Sequence, residues 1–492
     1  MENFVQYGLA VVSVLLVVGF LKRMLIPSAK KYPPGPHGYP LLGHVPQYGA
    51  FPPKTFMKWW HRYGDVFSIR LGSWKAVGVN GYSTIKEVTN HPNDAFAGRP
   101  YFVSHEVMEE VVGASTLSSG NYCPAYIKHH QVVSRSLKLF STGRQEVMEE
   151  LVSQETNALI DKLLKNCGTI PGYVLEDVMN CFLRVTFQFL YGRGQNIDQH
   201  VQTIHDCIQE FVEFCNNGSA IDVMPWLKYF MPGKVNWLRN ILGKMYRLQK
   251  EQIEEHKTDF TKEDIRDVAD AFIASDVNDD NGVLSRTKLN GALVDLMAAS
   301  YDTTSSTIAW MLLHIAAYPD VQRKVHEEID ELVKGRKVSL KDKKNLPYVE
   351  AVFLEVSRMV PPLPFALPHY AIMDAKIGDY DVDKDTVVIL NYYSVHYDEK
   401  YWGDPDNFRP ERFFTKENTL DSDKCAHVLQ FGTGRRKCIG DVIAKMNVFL
   451  SFATIMQRCN FIKPSGEELD LNPVPGLVYH PKDFRVLVKE RV

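Results

Sequence analysis

The chain lacks the marks of several common functional classes. It has no CxxC pair, and its eight cysteines, Cys123, Cys167, Cys181, Cys207, Cys215, Cys425, Cys438 and Cys459, are scattered. Zinc-ribbon spacing and a redox dithiol are therefore excluded. So few thiols in 492 residues do not make a disulfide scaffold, so most are expected to be free thiols in a reducing compartment. An excess of charge of one sign is also missing: the formal net charge is −3, which gives no electrostatic footprint for nucleic acid. Neither an internal repeat nor a low-complexity tract is visible. What remains is the composition of an ordinary globular protein, 45% hydrophobic and 23% charged, long enough to bury a large core.

Long uncharged runs are scarce, but one opens the chain. Residues 4–21 carry no charge and are mostly Val, Leu, Ala, Gly and Phe. The run is close to the ~20 residues an α-helix needs to cross a bilayer. Lys22, Arg23, Lys30 and Lys31 follow with no acid between them. By the positive-inside rule that flank stays in the cytosol. A cleaved signal peptide has its cations before the apolar run, the reverse order. The expected organisation is a single-pass anchor at 4–21, a basic and Pro-rich linker at 22–36, and one large cytosolic body at 37–492. Tyr32-Pro33-Pro34-Gly35-Pro36 reads as a stiff strut that sets how the body sits on the membrane.

Within the body most segments read as helix. Residues 289–318 form the longest pattern, ~45 Å at 1.5 Å per residue, and apolar enough to run through the interior. Residues 143–165, 198–217, 238–258, 321–334 and 347–359 also show helical patterns. Strand signals are few: 66–71, 76–79, 386–390 and 484–488. The acidic stretch 275–282 reads as a solvated loop. The expected fold class is mainly α with a small β region.

The most informative run is Phe431-Gly432-Thr433-Gly434-Arg435-Arg436-Lys437-Cys438-Ile439-Gly440. Three cations precede one cysteine, and positive neighbours favour a thiolate. Glycines allow tight turns, and a helical pattern over 441–450 places Cys438 just before a helix. Such a thiolate suits a soft metal or a nucleophile. Elsewhere, Glu355 and Arg358 lie at i, i+3 in apolar surroundings, and Ala299-Ser300-Tyr301-Asp302-Thr303-Thr304 puts an acid and hydroxyls in the long helix.

The cysteine run resembles the haem-binding loop of the cytochrome P-450 family, Phe-x-x-Gly-x-Arg-x-Cys-x-Gly, at every fixed position. The resemblance implies one large haem-thiolate domain after the anchor, with haem b as cofactor. It makes Cys438 the iron ligand, pairs Arg436 with a haem propionate, and places Phe431 and Gly432 against the haem. It makes Glu355, Arg358 and Arg412 a structural triad, and Asp302 and Thr303 the proton-delivery pair. His369 matches a propionate-donor position. Two departures stand out. Ser300 replaces a usual glycine, and its hydroxyl could bond back to the Leu296 carbonyl. Tyr126 and His130 stand where the family commonly has Trp-x-x-x-Arg, and both are expected to donate to a propionate.

The anchor, the Pro-rich hinge and Ala97-Gly98-Arg99-Pro100 resemble microsomal members, most of all the family 1 aryl-hydrocarbon hydroxylases. Steroid 17-alpha-hydroxylase and drug-metabolising family 2 are alike enough to stay open. The resemblance implies a single-pass protein of the endoplasmic reticulum membrane that takes electrons from NADPH through a flavoprotein reductase. Cytochrome b5 is a further partner it allows. It would insert one atom of O2 into a small apolar substrate of xenobiotic or steroid type. Arg435, Lys437 and Lys445 are the expected docking cations. Substrate walls are expected at 101–122, 211–230, 292–299, 362–367 and 476–478, with Phe211, Phe214, Trp226 and Phe365 favouring a flat guest. Two alternatives remain: a haem-thiolate isomerase or dehydratase acting on peroxides, and a non-catalytic haem-binding protein.

Overall fold

The computed structural model describes residues 30–194, 196–216, 219–275 and 285–491. The expected anchor at 4–21 and all but the first residue of the expected loop at 275–282 lie outside them. Among the described residues no helix is long and apolar enough to cross a membrane.

Helices make up most of the body. Those of eight or more residues are α1 Pro52–Tyr63, α2 Tyr82–Thr89, α3 Val103–Val112, α4 Pro124–Lys138, α5 Gln145–Cys167, α6 Leu175–Tyr191, α7 Ile197–Asn216, α8 Pro232–Asp259, α9 Arg286–Ala317, α10 Pro319–Val333, α11 Pro347–Met359 and α12 Asp441–Arg458. Five of them, α1, α4, α8, α10 and α11, open on proline, whose fixed φ suits the first turn and whose missing N–H costs nothing there. The Ser285 side chain caps α9 by accepting from the Lys288 amide. Ile308 to Leu313 on α9 are wholly buried, so the helix threads the core. It packs on α6, α11 and α12.

The strands are short. A four-stranded sheet runs β1-β2-β7-β4, built from β1 Val66–Leu71, β2 Trp74–Val79, β4 His369–Tyr370 and β7 Val387–Leu390. The β1–β2 hairpin is antiparallel, with Val66 opposite Val79, and β2 pairs parallel with β7. A second sheet runs β3-β11-β8, from β3 Gly172–Tyr173, β8 Cys459–Ile462 and β11 Arg485–Glu490. Two ribbons complete the set: β5 Ala375–Ile377 with β6 Tyr380–Val382, and β9 Pro473–Val474 with β10 His480–Pro481. The last ribbon lies against α9.

The Pro-rich strut is fastened to the body. Lys31 and Asp381 exchange two bonds, the Lys31 amide donating to Asp381 Oδ2 at 2.7 Å and the Asp381 amide to the Lys31 carbonyl at 2.8 Å. The Ser68 amide donates to the Pro34 carbonyl at 2.7 Å, and a Cβ on Gly35 would collide with the Ser68 carbonyl. The segment just before the body therefore leaves it in one fixed direction.

Candidate active site

The cysteine loop is shaped by its glycines. Gly432 and Gly434 have φ of +70° and +73°, a region that other residues enter only under strain. At Gly434 a Cβ would also strike the Thr89 carbonyl. The Cys438 amide donates to the Phe431 carbonyl at 2.8 Å and closes the loop. Gly440 then caps α12. The Cys438 sulfur is left exposed to a cavity of about 260 Å³. Phe431, Gly432 and Gly440 line one side, and Leu296, Ala299 and Thr303 of α9 lie on the other. A Cβ on Gly440 would meet no atom within 4 Å.

Burial pushes the Cys438 thiol up, and Lys437 and Lys445 only partly oppose it. This corrects the expectation that three neighbouring cations lower it. Those cations are engaged elsewhere. Arg435 bonds to Asp94 at 3.0 Å, Lys437 to Asp441 at 2.6 Å, and Arg436 donates to the carbonyls of Ala97 (2.7 Å) and Gly120 (2.6 Å). A metal, which deprotonates a coordinating thiol outright, would supply what they do not.

The rim of the cavity is cationic. Arg436 and Arg99 both line it, and among the described residues neither has a carboxylate partner. Arg436 Nη1 is buried with no hydrogen-bond partner at all. Arg99 is 6% exposed and donates only to carbonyls, those of Ser118 (3.2 Å), Pro368 (3.0 Å) and Leu367 (3.4 Å). Burial, helped by Arg436, pulls its pKa down to about 9. Sequence reasoning gave Arg99 no role, and its signal was slight: one arginine between Gly98 and Pro100.

Three expected donors behave differently. His369 lines the cavity, but its Nδ1 lies 2.8 Å from the Phe96 carbonyl and so carries the proton. Burial, Arg99 and Arg436 hold its pKa well down, so the ring is neutral and Nε2 has no proton to give. Tyr126 and His130 do not line the cavity. Tyr126 lies beneath Arg436, 4.0 Å from guanidinium carbon to ring centroid, and burial beside Arg436 holds the His130 pKa down.

On α9, Thr303 faces the cavity and its hydroxyl donates to the Ala299 carbonyl at 2.7 Å. Asp302 is 6% exposed, does not line the cavity, and meets His480 Nε2 at 2.9 Å. The expected proton-delivery acid is thus paired to a histidine from β10. No sequence signal marked His480. The Ser300 hydroxyl accepts from Thr186 at 3.4 Å and does not bond to Leu296. Glu355, Arg358 and Arg412 do meet: Glu355 takes Arg358 at 2.8 and 3.0 Å and Arg412 at 2.8 Å, all buried. The expected wall residues Pro362, Leu363, Ala366 and Leu367 line the cavity, but Phe211, Phe214, Trp226 and Phe365 do not. Phe365 packs on Phe56 at 4.7 Å, and Phe214 on Trp237 at 5.9 Å.

A thiol that needs a metal, an orphaned guanidinium and a second uncompensated one on the same cavity fit a metal-bearing group with carboxylate arms. Comparison with known proteins agrees. The family model described as Cytochrome P450 matches residues 33–488. Mouse (Mus musculus) cytochrome P450 1A2 is 32% identical over 477 residues, 93% of this chain and 91% of that protein. Rabbit (Oryctolagus cuniculus) cytochrome P450 1A1 is 33% identical over 485 residues, 95% of this chain and 93% of that protein. A solved zebra fish cytochrome P450 structure with progesterone superposes with a TM-score of 0.80 at 25% identity, covering 89% of this chain and 99% of that one. The chain belongs to the cytochrome P450 family and is a haem-thiolate monooxygenase.

Proposed function

We propose that this monooxygenase sits on the endoplasmic reticulum membrane, takes electrons from NADPH through a flavoprotein reductase, and oxidises a flat apolar substrate of aromatic or steroid type. The observation that carries the reading is one cavity shared by the Cys438 sulfur, two guanidiniums without acids, and the hydroxyl face of α9. Cys438 would hold the haem iron, and Arg436 and Arg99 would hold its carboxylates, with Phe431 and Gly432 beneath. Thiolate-ligated haem supplies dioxygen activation and O–O cleavage.

The chain's own residues do the rest. Leu296, Ala299, Leu363, Ala366 and Leu367 give the cavity apolar walls that exclude water and suit an apolar guest. The zebra fish relative is described with a steroid, progesterone, which supports a guest of that size. Thr303 spends its proton on the Ala299 carbonyl, so its oxygen lone pairs are free to accept from water in the cavity. Asp302 Oδ1 lies 2.9 Å from His480 Nε2, and neither residue lines the cavity. Arg435, Lys437 and Lys445 flank the cysteine and offer an acidic reductase its docking charges, softened by the pairs with Asp94 and Asp441.

The test is a carbon monoxide difference spectrum of the reduced protein, followed by turnover with NADPH and reductase. Cys438→Ser should lose the thiolate-type Soret band, because axial-ligand identity sets it. Survival of that band, or no oxidised product from any flat apolar substrate with reductase present, would overturn the reading.

A further inference from the structure

Arg436 is seated without a counter-charge. Its Nε and Nη2 end on two backbone carbonyls, and its Nη1 on nothing. What lies against its face is the ring of Tyr126, 4.0 Å from the guanidinium carbon. Tyr122 is further off, at 5.9 Å. Tyr126 is 9% exposed and stands in the first turn of α4, just after Pro124. Its ring also meets those of Tyr122 at 5.8 Å and His130 at 6.0 Å, which hold it in place.

The choice of partner has an electrostatic consequence. A carboxylate would hold a guanidinium firmly, but it would also cancel the charge. An aromatic face attracts a cation through its quadrupole and carries no net charge. Arg99 is a second cation at the same rim, close enough for Arg436 to help lower its pKa. A pair of like charges in a partly desolvated place is unfavourable until an anion arrives. A seat that neutralised Arg436 would remove that pull.

We propose that Tyr126 is a positioning residue. Its ring fixes Arg436 at the rim while leaving the full charge and the unpaired Nη1 to the carboxylates of the haem. The proposal rests on the haem-clamp reading given above, and it assigns Tyr126 a part that a direct donor would not play.

The experiment is haem release from the holoenzyme to an excess of a haem-scavenging apoglobin, followed at the Soret band. Each variant is loaded with haem and, separately, with haem dimethyl ester, which lacks the carboxylate charges. Tyr126→Leu should release haem about tenfold faster than the unaltered protein, the scale of a desolvated cation–π contact. Tyr126→Phe keeps the ring and should stay closer to the unaltered protein than to the Leu variant. Tyr126→Glu holds the guanidinium but cancels it, and should also release haem faster. With the dimethyl ester, Tyr126→Leu and the unaltered protein should differ by less than about twofold. Equal acceleration with haem and its ester would make Tyr126 mere packing and overturn the proposal, as would tighter retention in Tyr126→Glu. If the unaltered protein releases haem and ester at one rate, it is the carboxylate clamp itself that fails.

Discussion

Glu355 holds two guanidinium groups where no water screens them. Arg358 and Glu355 are wholly buried, and Arg412 is 5% exposed. Further bonds surround the cluster: Arg358 Nη1 donates to the His396 carbonyl at 2.8 Å, Arg412 reaches the carbonyls of Trp402, Asp404 and Asn407, and the Arg409 amide adds a bond to Glu355 at 3.0 Å. The cluster also reaches the cysteine loop. His396 Nε2 accepts from the Leu429 amide at 2.8 Å, two residues before Phe431. Glu355→Ala would leave Arg358 buried without an acid and Arg412 with Asp404 alone, at 2.9 Å, at a cost of about 3–5 kcal/mol. Glu355→Gln, which keeps some bonds, should cost less. Urea denaturation of both variants measures it, and a midpoint for Glu355→Ala equal to that of the unaltered protein would show the triad to be dispensable. Glu355 and Arg358 were legible in the sequence because they are local and their neighbours are apolar, whereas Arg412 came only from the family resemblance. The rim was not. Tyr126 and His130 could be named from their spacing, but whether they face the cavity depends on Arg436, 310 positions from Tyr126. The tautomer of His369 likewise needs the Phe96 carbonyl, 273 positions away.

At the scale of elements, α9 decides which hydroxyl meets the chemistry. Thr303, Thr304, Thr307 and Ser300 all line the cavity; Thr303 and Ser300 are half-buried, and the Thr303 hydroxyl ends on Ala299. Thr303→Ala should lower product formed per NADPH about tenfold, a partial loss beside the roughly 10²–10⁴ of full acid–base catalysis, and raise hydrogen peroxide in step. Asp302→Asn and His480→Phe should act alike, since each removes one side of the same 2.9 Å contact. Tight coupling in Thr303→Ala with uncoupling in Thr304→Ala would move the role to Thr304. Tight coupling in Asp302→Asn and His480→Phe would mean the pair is structural. The length of α9 was readable because the pattern has no proline and no glycine after Gly291. β1 was expected at its observed bounds, since alternation and a Gly72 turn frame it. α6 had no such frame. It was missed although Glu176, Asp177, Asn180, Arg184 and Gln188 mark one face at helical spacing, opposite the buried run of Val178, Phe182, Val185 and Phe189. The start of α8 was missed by six residues: Pro232 opens the helix.

At the scale of the whole molecule, two surfaces bear on where and at what pH the enzyme works. Tyr229 and Phe230 are 77% exposed and Trp226 45%, in a short turn beside α8. Val223, just before it, accepts from Ser73 at the β1–β2 hairpin, near the strut from which the N-terminal segment departs. A truncated form beginning at Lys30 should therefore still bind vesicles, and Tyr229→Ser with Phe230→Ser should release it into the supernatant. Equal partitioning of both forms would refute a second membrane contact. The interior sets the acid limit. His314 and His396 are wholly buried, and burial holds their pKa at about 4 and about 3. An unfolded histidine takes its proton near pH 6.5. Between pH 6.5 and about 4 the unfolded chain therefore binds protons that the folded chain refuses, and stability falls as pH falls, by ~1.4 kcal/mol per pH unit for each such histidine. Above pH 6.5 their contribution is complete. Asp222, Asp267 and Asp295 act in the opposite sense, because burial raises them and the folded state then gains protons as pH drops. A single-site difference separates the two. His314 donates only to its own helix, at the Trp310 carbonyl, and packs beside Tyr318 and Phe408, so His314→Phe fits without a lost tertiary bond. The unaltered protein should lose stability relative to that variant on going from pH 6.5 to 4.5, with slopes that differ by ~1.4 kcal/mol per unit. Parallel curves would mean that His314 titrates alike in both states and that acid lability has another source.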